Sequence, residues 1–264
     1  MRSLRWHWAL AVSFCSWLGF SGDTLAQTDK EVDRAGEASM QIERLMPAPG
    51  PGGFWQVDDG DVGPHLAPSV GLVSWESARP LVVSAGWNGT DYKVGDTLSK
   101  PISRRVGTDL LISVGLFDRV LVGTAVPLIV LQQGDRFQQL GFAHEDDNRS
   151  LEKSMLGDIR LYAKARFWGA PHGYGPAAAG ALVVSLPTGD EENFAGEGGP
   201  VYEGRLIGSY RARLWAVAAN AGVRIRSEDV QFLDPSMLVG NELVWGVAAE
   251  GRVPALPRFA VLAE

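Results

Sequence analysis

The sequence predicts an all-β protein, an antiparallel up-and-down transmembrane β-barrel that is complete or left incomplete at its C-terminus. Three observations carry this expectation. Apolar residues recur at every second position over several stretches, some as long as a tilted strand needs to cross a bilayer, about ten residues. An export signal stands at the N-terminus. Short turns alternate with longer polar loops along the chain.

From the N-terminus, Met1-Arg2-Ser3-Leu4-Arg5 is short and basic, and Ala9 to Phe20 is apolar but too short to cross a bilayer comfortably. Thr24 and Ala26 supply the small residues before a cleavage position after Ala26. This is the layout of a secretory signal peptide. The expected division is 1–26 signal peptide, 27–37 flexible segment and 38–264 barrel. The single cysteine, Cys15, falls in the signal, so neither an internal disulfide nor a cysteine-based zinc site is expected.

Composition narrows the class further. The chain is 45% hydrophobic and 9% aromatic, too apolar for disorder. Mean hydropathy is -0.01, which excludes a polytopic helical membrane protein. The 32 glycines suit strands and turns better than a helical bundle. A net charge of -7 does not fit a general nucleic-acid binder, which needs a basic face.

The segment Met46-Pro47-Ala48-Pro49-Gly50-Pro51-Gly52-Gly53 reads as loop, because prolines remove donors and glycines favour turns. Alternation follows. Val106, Thr108, Leu110, Ile112 and Val114 face one way, opposite Arg105, Gly107, Asp109, Leu111 and Ser113. Val120, Val122, Thr124, Val126 and Leu128 repeat the pattern, as do the odd positions of Asp158 to Phe167. Trp215, Val217, Ala219, Ala221, Val223 and Ile225 form another apolar row, and Leu243, Trp245, Val247 and Ala249 a last one. A helix would mix the two sets around its circumference, whereas a strand separates them. About nine or ten strands are expected. Trp75, Trp87, Trp168 and Tyr202 fall near expected strand ends, where interfacial aromatics belong. Leu116-Phe117-Asp118-Arg119 reads as a short turn, and 132–156 and 187–200 as long polar loops.

A family resemblance rests on short motifs in order. Ile42-Glu43-Arg44-Leu45-Met46-Pro47-Ala48-Pro49-Gly50-Pro51-Gly52 resembles the opening of the barrels at the N-terminus of myxobacterial OmpA-like outer-membrane proteins. Ala67-Pro68-Ser69-Val70-Gly71-Leu72, Arg79-Pro80-Leu81-Val82, Asp109-Leu110-Leu111 and Gly115-Leu116-Phe117-Asp118-Arg119 fit the continuation. Gly157-Asp158-Ile159-Arg160-Leu161, Leu186-Pro187-Thr188-Gly189-Asp190 with Phe194-Ala195-Gly196, and Val239-Gly240-Asn241-Glu242-Leu243 complete the set. Two of these pieces are also similar to channel-type barrels associated with uptake of aromatic compounds. The resemblance implies an outer-membrane location, with lipid, lipopolysaccharide and the barrel assembly machinery as partners. Peptidoglycan enters only if the C-terminal domain of that family follows. The chain ends at Phe259-Ala260-Val261-Leu262-Ala263-Glu264, without the terminal aromatic such families carry, so either a truncated chain or one without its last strands is expected.

No catalytic constellation emerges. His7, His65, His144 and His172 lack metal-ligand spacing, and there is neither a nucleophile elbow nor a phosphate loop. Neither an enzyme nor a cofactor is expected. Asp58-Asp59-Gly60-Asp61 and Asp190-Glu191-Glu192 lack EF-hand spacing and read as solvated acidic loops. The candidate site is the charged row opposite the apolar rows: Asp109, Arg160, Lys164, Arg166, Glu203, Arg205, Arg224 and Glu242. Inside a barrel these residues either line a pore and set ion preference or form a paired network that fills it. The expected function is structural, or narrow passive diffusion of small solutes with a weak preference for anions. The competing reading is a soluble secreted β-sandwich that binds carbohydrate or protein. The two readings differ on whether Trp215, Val217, Val223 and Trp245 form an outer belt or pack between sheets. On the barrel reading, a lysine at outward Val217 should harm far more than one at inward Asn220.

Overall fold

The computed structural model describes residues 45–52, 54–84, 97–134, 152–169, 174–191, 193–227, 230–231, 238–252 and 260–264. The expected signal peptide and the flexible segment 27–37 lie outside the described residues, as do Trp87, His7, His144, His172, Glu192 and most of loop 132–156.

Among the described residues the chain is all β, without a helix. Its strands are β1 (Pro68–Ser84), β2 (Thr97–Leu116), β3 (Val120–Gln133), β4 (Met155–Leu156), β5 (Arg160–Gly169), β6 (Gly175–Ser185), β7 (Val201–Arg211), β8 (Trp215–Arg226), β9 (Val230–Gln231), β10 (Leu238–Val239), β11 (Glu242–Arg252) and β12 (Ala260–Ala263). One antiparallel sheet runs β1-β2-β3-β5-β6-β7-β8-β11-β12, with β4 added on β3; β9 and β10 form a separate hairpin. The sheet curls into a half-barrel. β1 and β12 are its edges and do not pair with each other among the described residues. β2 has 20 residues and β8 has 12, well beyond the five or six usual in globular sheets.

Each apolar row lies on the convex face. Val217 is 41% exposed and Trp245 78%, and the residues that alternate with them are buried or half-buried. Pairing keeps this register across the sheet: Val217 sits opposite Ala249 on one side and Tyr210 on the other. A shift of one residue would turn every apolar row inward. Strand connections differ at the two ends. At one end they are 117–119, 170–174, 212–214 and 253–259; at the other they are 85–96, 134–159, 186–200 and 227–241. These are called the short-turn end and the long-loop end.

Trp168 and Tyr202 are exposed near strand ends. Trp75 departs from the expectation. It lies midway along β1 on the concave face, and its indole N–H donates to Asp109 at 2.8 Å. A buried indole needs an acceptor, and the carboxylate on neighbouring β2 supplies one.

The concave face is covered by the chain itself. Residues 45–52 have no regular secondary structure, as their prolines and glycines predict. They are nonetheless no surface linker, because Pro47 and Pro49 are buried. Residues 45–52 and 54–63 run along the inside of the curl. Val62 is fully buried against Leu121, Tyr162, Ala179, Ala181, Val183 and Ile207. Phe54 and Val57 pack on Ala216, Ala218, Ala248 and Leu262. Small residues on the concave rows make the space. A Cβ on Gly115 would lie 2.4 Å from the Pro64 carbonyl oxygen, and a Cβ on Gly60 would lie 2.6 Å from the Cβ of Ala177. Both approaches are closed to any larger residue unless the backbone shifts. Full burial of one such valine contributes about 1.5–3 kcal/mol.

The segment is fastened at the short-turn end. Phe117 and Asp118 adopt left-handed backbone, φ 54° each, a conformation that costs a non-glycine residue roughly 1–2 kcal/mol. His65 offsets this strain. Its backbone N–H donates to the Asp118 carboxylate at 2.7 Å, and its Nδ1 accepts from the Phe117 N–H at 3.0 Å. Its ring stacks on Phe117 with centroids 5.3 Å apart. The turn and the inner segment therefore hold each other in place.

Candidate functional site: a filled, ion-paired interior

All eight residues singled out from the sequence lie on the concave face, and among the described residues each has a polar partner. Arg160 donates to Asp109 at 2.5 Å, with the two side chains 5% and 2% exposed. Arg205 and Arg224 both pair with Glu203, and Arg224 also meets Glu242 at 3.3 Å. The Arg166 guanidinium donates to the Asp118 carbonyl. Lys164 reaches the inner segment: its Nζ lies 2.7 Å from Asp58 Oδ1 and donates to the Asp59 carbonyl at 2.9 Å. β5 contributes three of these cations because its even positions from Arg160 to Arg166 point inward.

Three parts of the network were not recognised in the sequence. Asp58 and Asp59, read there as a solvated acidic loop, are 5% and 4% exposed. Asp59 pairs with Arg211 at 2.5 Å. The physical reason is charge balance. The concave rows carry more cations than acids, so carboxylates from outside the strands are drawn in to pair with them. Glu197 does the same from loop 186–200, pairing with Arg226 at 2.9 Å. Arg226 also meets Glu242 at 3.3 Å. Asn220 belongs to the same fastening. Its amide accepts from the Asp58 N–H at 2.6 Å and donates to the Asp58 carbonyl at 2.9 Å. A lysine at Asn220 would break both bonds, so the expectation that it is tolerated does not hold.

Loop 186–200 also departs from its reading as a polar surface loop, although Asp190 is half-buried and Glu191 exposed as such a loop requires. Phe194 and Ala195 are each 1% exposed. The Arg105 guanidinium, itself fully buried, donates to the carbonyls of Phe194 and Asn193 and to the Gln132 side chain. The Asp158 carboxylate accepts the backbone N–H groups of Thr188, Gly189 and Glu197 at 2.8–3.1 Å. Burial pushes the Asp158 carboxyl above its ordinary range, and the three donors pull it back. The loop spans the long-loop end from Arg105 on β2 to Arg226 on β8.

Between the loop and the inner segment lies a void of about 10 Å³, lined by Leu45, Trp75, Arg105, Asp109, Pro127, Ile129, Gly157 and Ala195. That is room for about one water molecule. Among the described residues the arrangement fills and cross-links an interior. No protein-family model matches this chain, and no curated protein or solved structure is significantly similar to it.

Proposed function

We propose that this chain forms the membrane-embedded barrel of a Gram-negative outer-membrane protein, and that its role is structural, with its interior closed by its own inner segment. One observation carries the reading. On the convex face of β5, β6, β7, β8 and β11 no described side chain is charged, while the buried concave face holds Lys164, Arg160, Arg166, Glu203, Arg224 and Arg226. A water-soluble antiparallel sheet is polar outside and apolar inside; this one is the reverse, as a sheet facing hydrocarbon must be. The sandwich reading needs a second sheet over Trp215, Val217, Val223 and Trp245, and all four are exposed. Exposed aromatics at the short-turn end, Phe117, Phe167, Trp168, Tyr174, Tyr210 and Trp215, suit a headgroup boundary. The pairing of Arg160, Lys164, Arg166, Arg205 and Arg224 removes the basic constriction on which an anion-preferring pore would depend. In hydrocarbon every backbone donor needs a partner, so closure of the β1 and β12 edges is part of the proposal.

Two measurements test it together. The purified chain is expected to require detergent and to float with liposomes. In that state, amide exchange along the outer edge of β1 is expected to be slow. A chain that stays monomeric in buffer without detergent, with rapid exchange along that edge, would rule the proposal out.

A further inference from the structure

We infer that the short-turn rim is a binding surface for the headgroups of anionic phospholipids, centred on the turns that carry Arg119 and Arg213. This rests on the barrel reading above and names a partner for one end of it. The first observation is a division of charge between the two ends. The connections at the long-loop end, 85–96, 134–159, 186–200 and 227–241, hold 15 acidic residues against 4 lysines or arginines. Those at the short-turn end, 117–119, 170–174, 212–214 and 253–259, hold Arg119, Arg213 and Arg258 against a single carboxylate, Asp118. Asp118 is half-buried and accepts the His65 N–H at 2.7 Å, whereas Arg119 and Arg213 are exposed.

The second observation is that aromatic rings flank both arginines. Arg213 sits in a turn closed by the Ala212 N–H, which donates to the Trp215 carbonyl at 2.8 Å. Tyr210 and Trp215, on its two sides, stack with centroids 5.2 Å apart. Arg119 follows exposed Phe117, and its carbonyl accepts the Arg166 N–H at 2.8 Å, so the end of β5, with exposed Phe167 and Trp168, runs beside it. Arg252 lies against the Arg213 turn through its N–H to the Leu214 carbonyl, but it already pairs with Glu250 at 2.7 Å. Rings with one polar edge settle where hydrocarbon gives way to headgroups. A guanidinium at the tip of the same turn then reaches phosphate depth, where its fork takes two phosphate oxygens. A zwitterionic headgroup brings its own cation to that phosphate; an anionic one leaves the place to arginine. Lipopolysaccharide is the other anionic lipid of an outer membrane, but such barrels turn their short connections to the periplasmic side, where phospholipid forms the leaflet.

Spin-labelled lipids test the inference on the full chain refolded into phosphatidylcholine bilayers. The fraction of label restrained by the protein is compared for labelled phosphatidylglycerol and labelled phosphatidylcholine. Wild type is expected to hold the anionic label at least about twofold more strongly, because an arginine near anionic headgroups strengthens association about fivefold and only part of the boundary lipid touches the rim. Salt at about 0.5 M should bring the ratio close to one. Arg119→Gln with Arg213→Gln should do so without salt, whereas Arg79→Gln, exposed toward the other end, should leave the ratio as in wild type. Equal restraint of the two labels by wild type, a preference that persists in salt, or one that survives the double variant overturns the inference. Displacement of the anionic label by lipopolysaccharide but not by unlabelled phosphatidylglycerol overturns it too. The salt comparison uses wild type alone, so it decides the matter even where the double variant does not refold. A chain that restrains neither label would strike the barrel reading itself, and the inference falls with it.

Discussion

Lys164→Ala is expected to destabilise the folded chain by about 3–5 kcal/mol, because it leaves the buried Asp58 carboxylate without its cation. The Lys164 side chain is fully buried, its Nζ pairs with Asp58 Oδ1, and among the described residues Asp58 Oδ2 has no hydrogen-bond partner. Burial pushes the Asp58 carboxyl above its ordinary range, a larger effect than the pull of the Lys164 ammonium in the other direction. The folded chain therefore takes up a proton at Asp58 more readily than the unfolded chain does. The contribution of this group to stability is fullest below the ordinary aspartate range and is lost as pH rises through its folded value. The loss caused by Lys164→Ala should accordingly shrink in acid, where Asp58 becomes neutral. Replacing both members, Lys164→Met with Asp58→Leu, should recover most of the single-variant loss, since a buried pair often contributes little over apolar residues of similar volume. Urea titration of the lipid-refolded variants at neutral and acid pH measures all three effects. A Lys164→Ala loss below 1 kcal/mol would mean that Asp58 is solvated and that the inner segment does not sit on β5.

Val217→Lys is expected to cost roughly 2–4 kcal/mol in lipid, the figure for a cation near the bilayer midplane on a barrel wall. Val217 lies near the middle of β8 on the convex face, 41% exposed. If that face met water, the same substitution would fall within about 0.5 kcal/mol of neutral, as exposed surface changes do. The two environments thus predict different outcomes for one residue. Unfolding of wild type and Val217→Lys, compared in lipid bilayers, decides between them.

The wall of this molecule is legible in the sequence and its filling is not. Period-two alternation is a local property, so the apolar rows at 106–114, 120–128, 215–225 and 243–249 can be read without knowing their neighbours. Each assigned face agrees with the observed exposure. Trp75 misled because nearness to a strand end was judged from sequence, while β1 runs on to Ser84 and puts the indole midway, beside Asp109. Asp58 and Asp59 misled for a different reason. An acidic stretch between glycines reads as solvated unless its partners are known, and those partners, Lys164 and Arg211, lie more than a hundred residues away. Two signals pointed toward the inner segment nonetheless. Ala177, Ala179, Ala181, Ser209, Ala216 and Ala218 are all small, so they leave space that something must fill. The cations of β5 also outnumber the acids of the strands beside it, so counter-charge had to come from elsewhere.

The central claim is that the described residues between 45 and 63 lie inside the curl, and a disulfide tests it most directly. A Cβ on residue 60 would lie 3.2 Å from Ser209 Oγ, close to the ~3 Å between a Cβ and the far sulfur of a disulfide. With Cys15→Ser to remove the only native thiol and Ala177→Gly to make room, Gly60→Cys and Ser209→Cys should oxidise spontaneously in the folded, lipid-refolded chain. Mass spectrometry after proteolysis should recover one peptide that joins residues 60 and 209, with heat-modifiable migration unchanged. Two free thiols that both react with a maleimide in the folded chain, and no joined peptide after mild oxidation, would contradict the account.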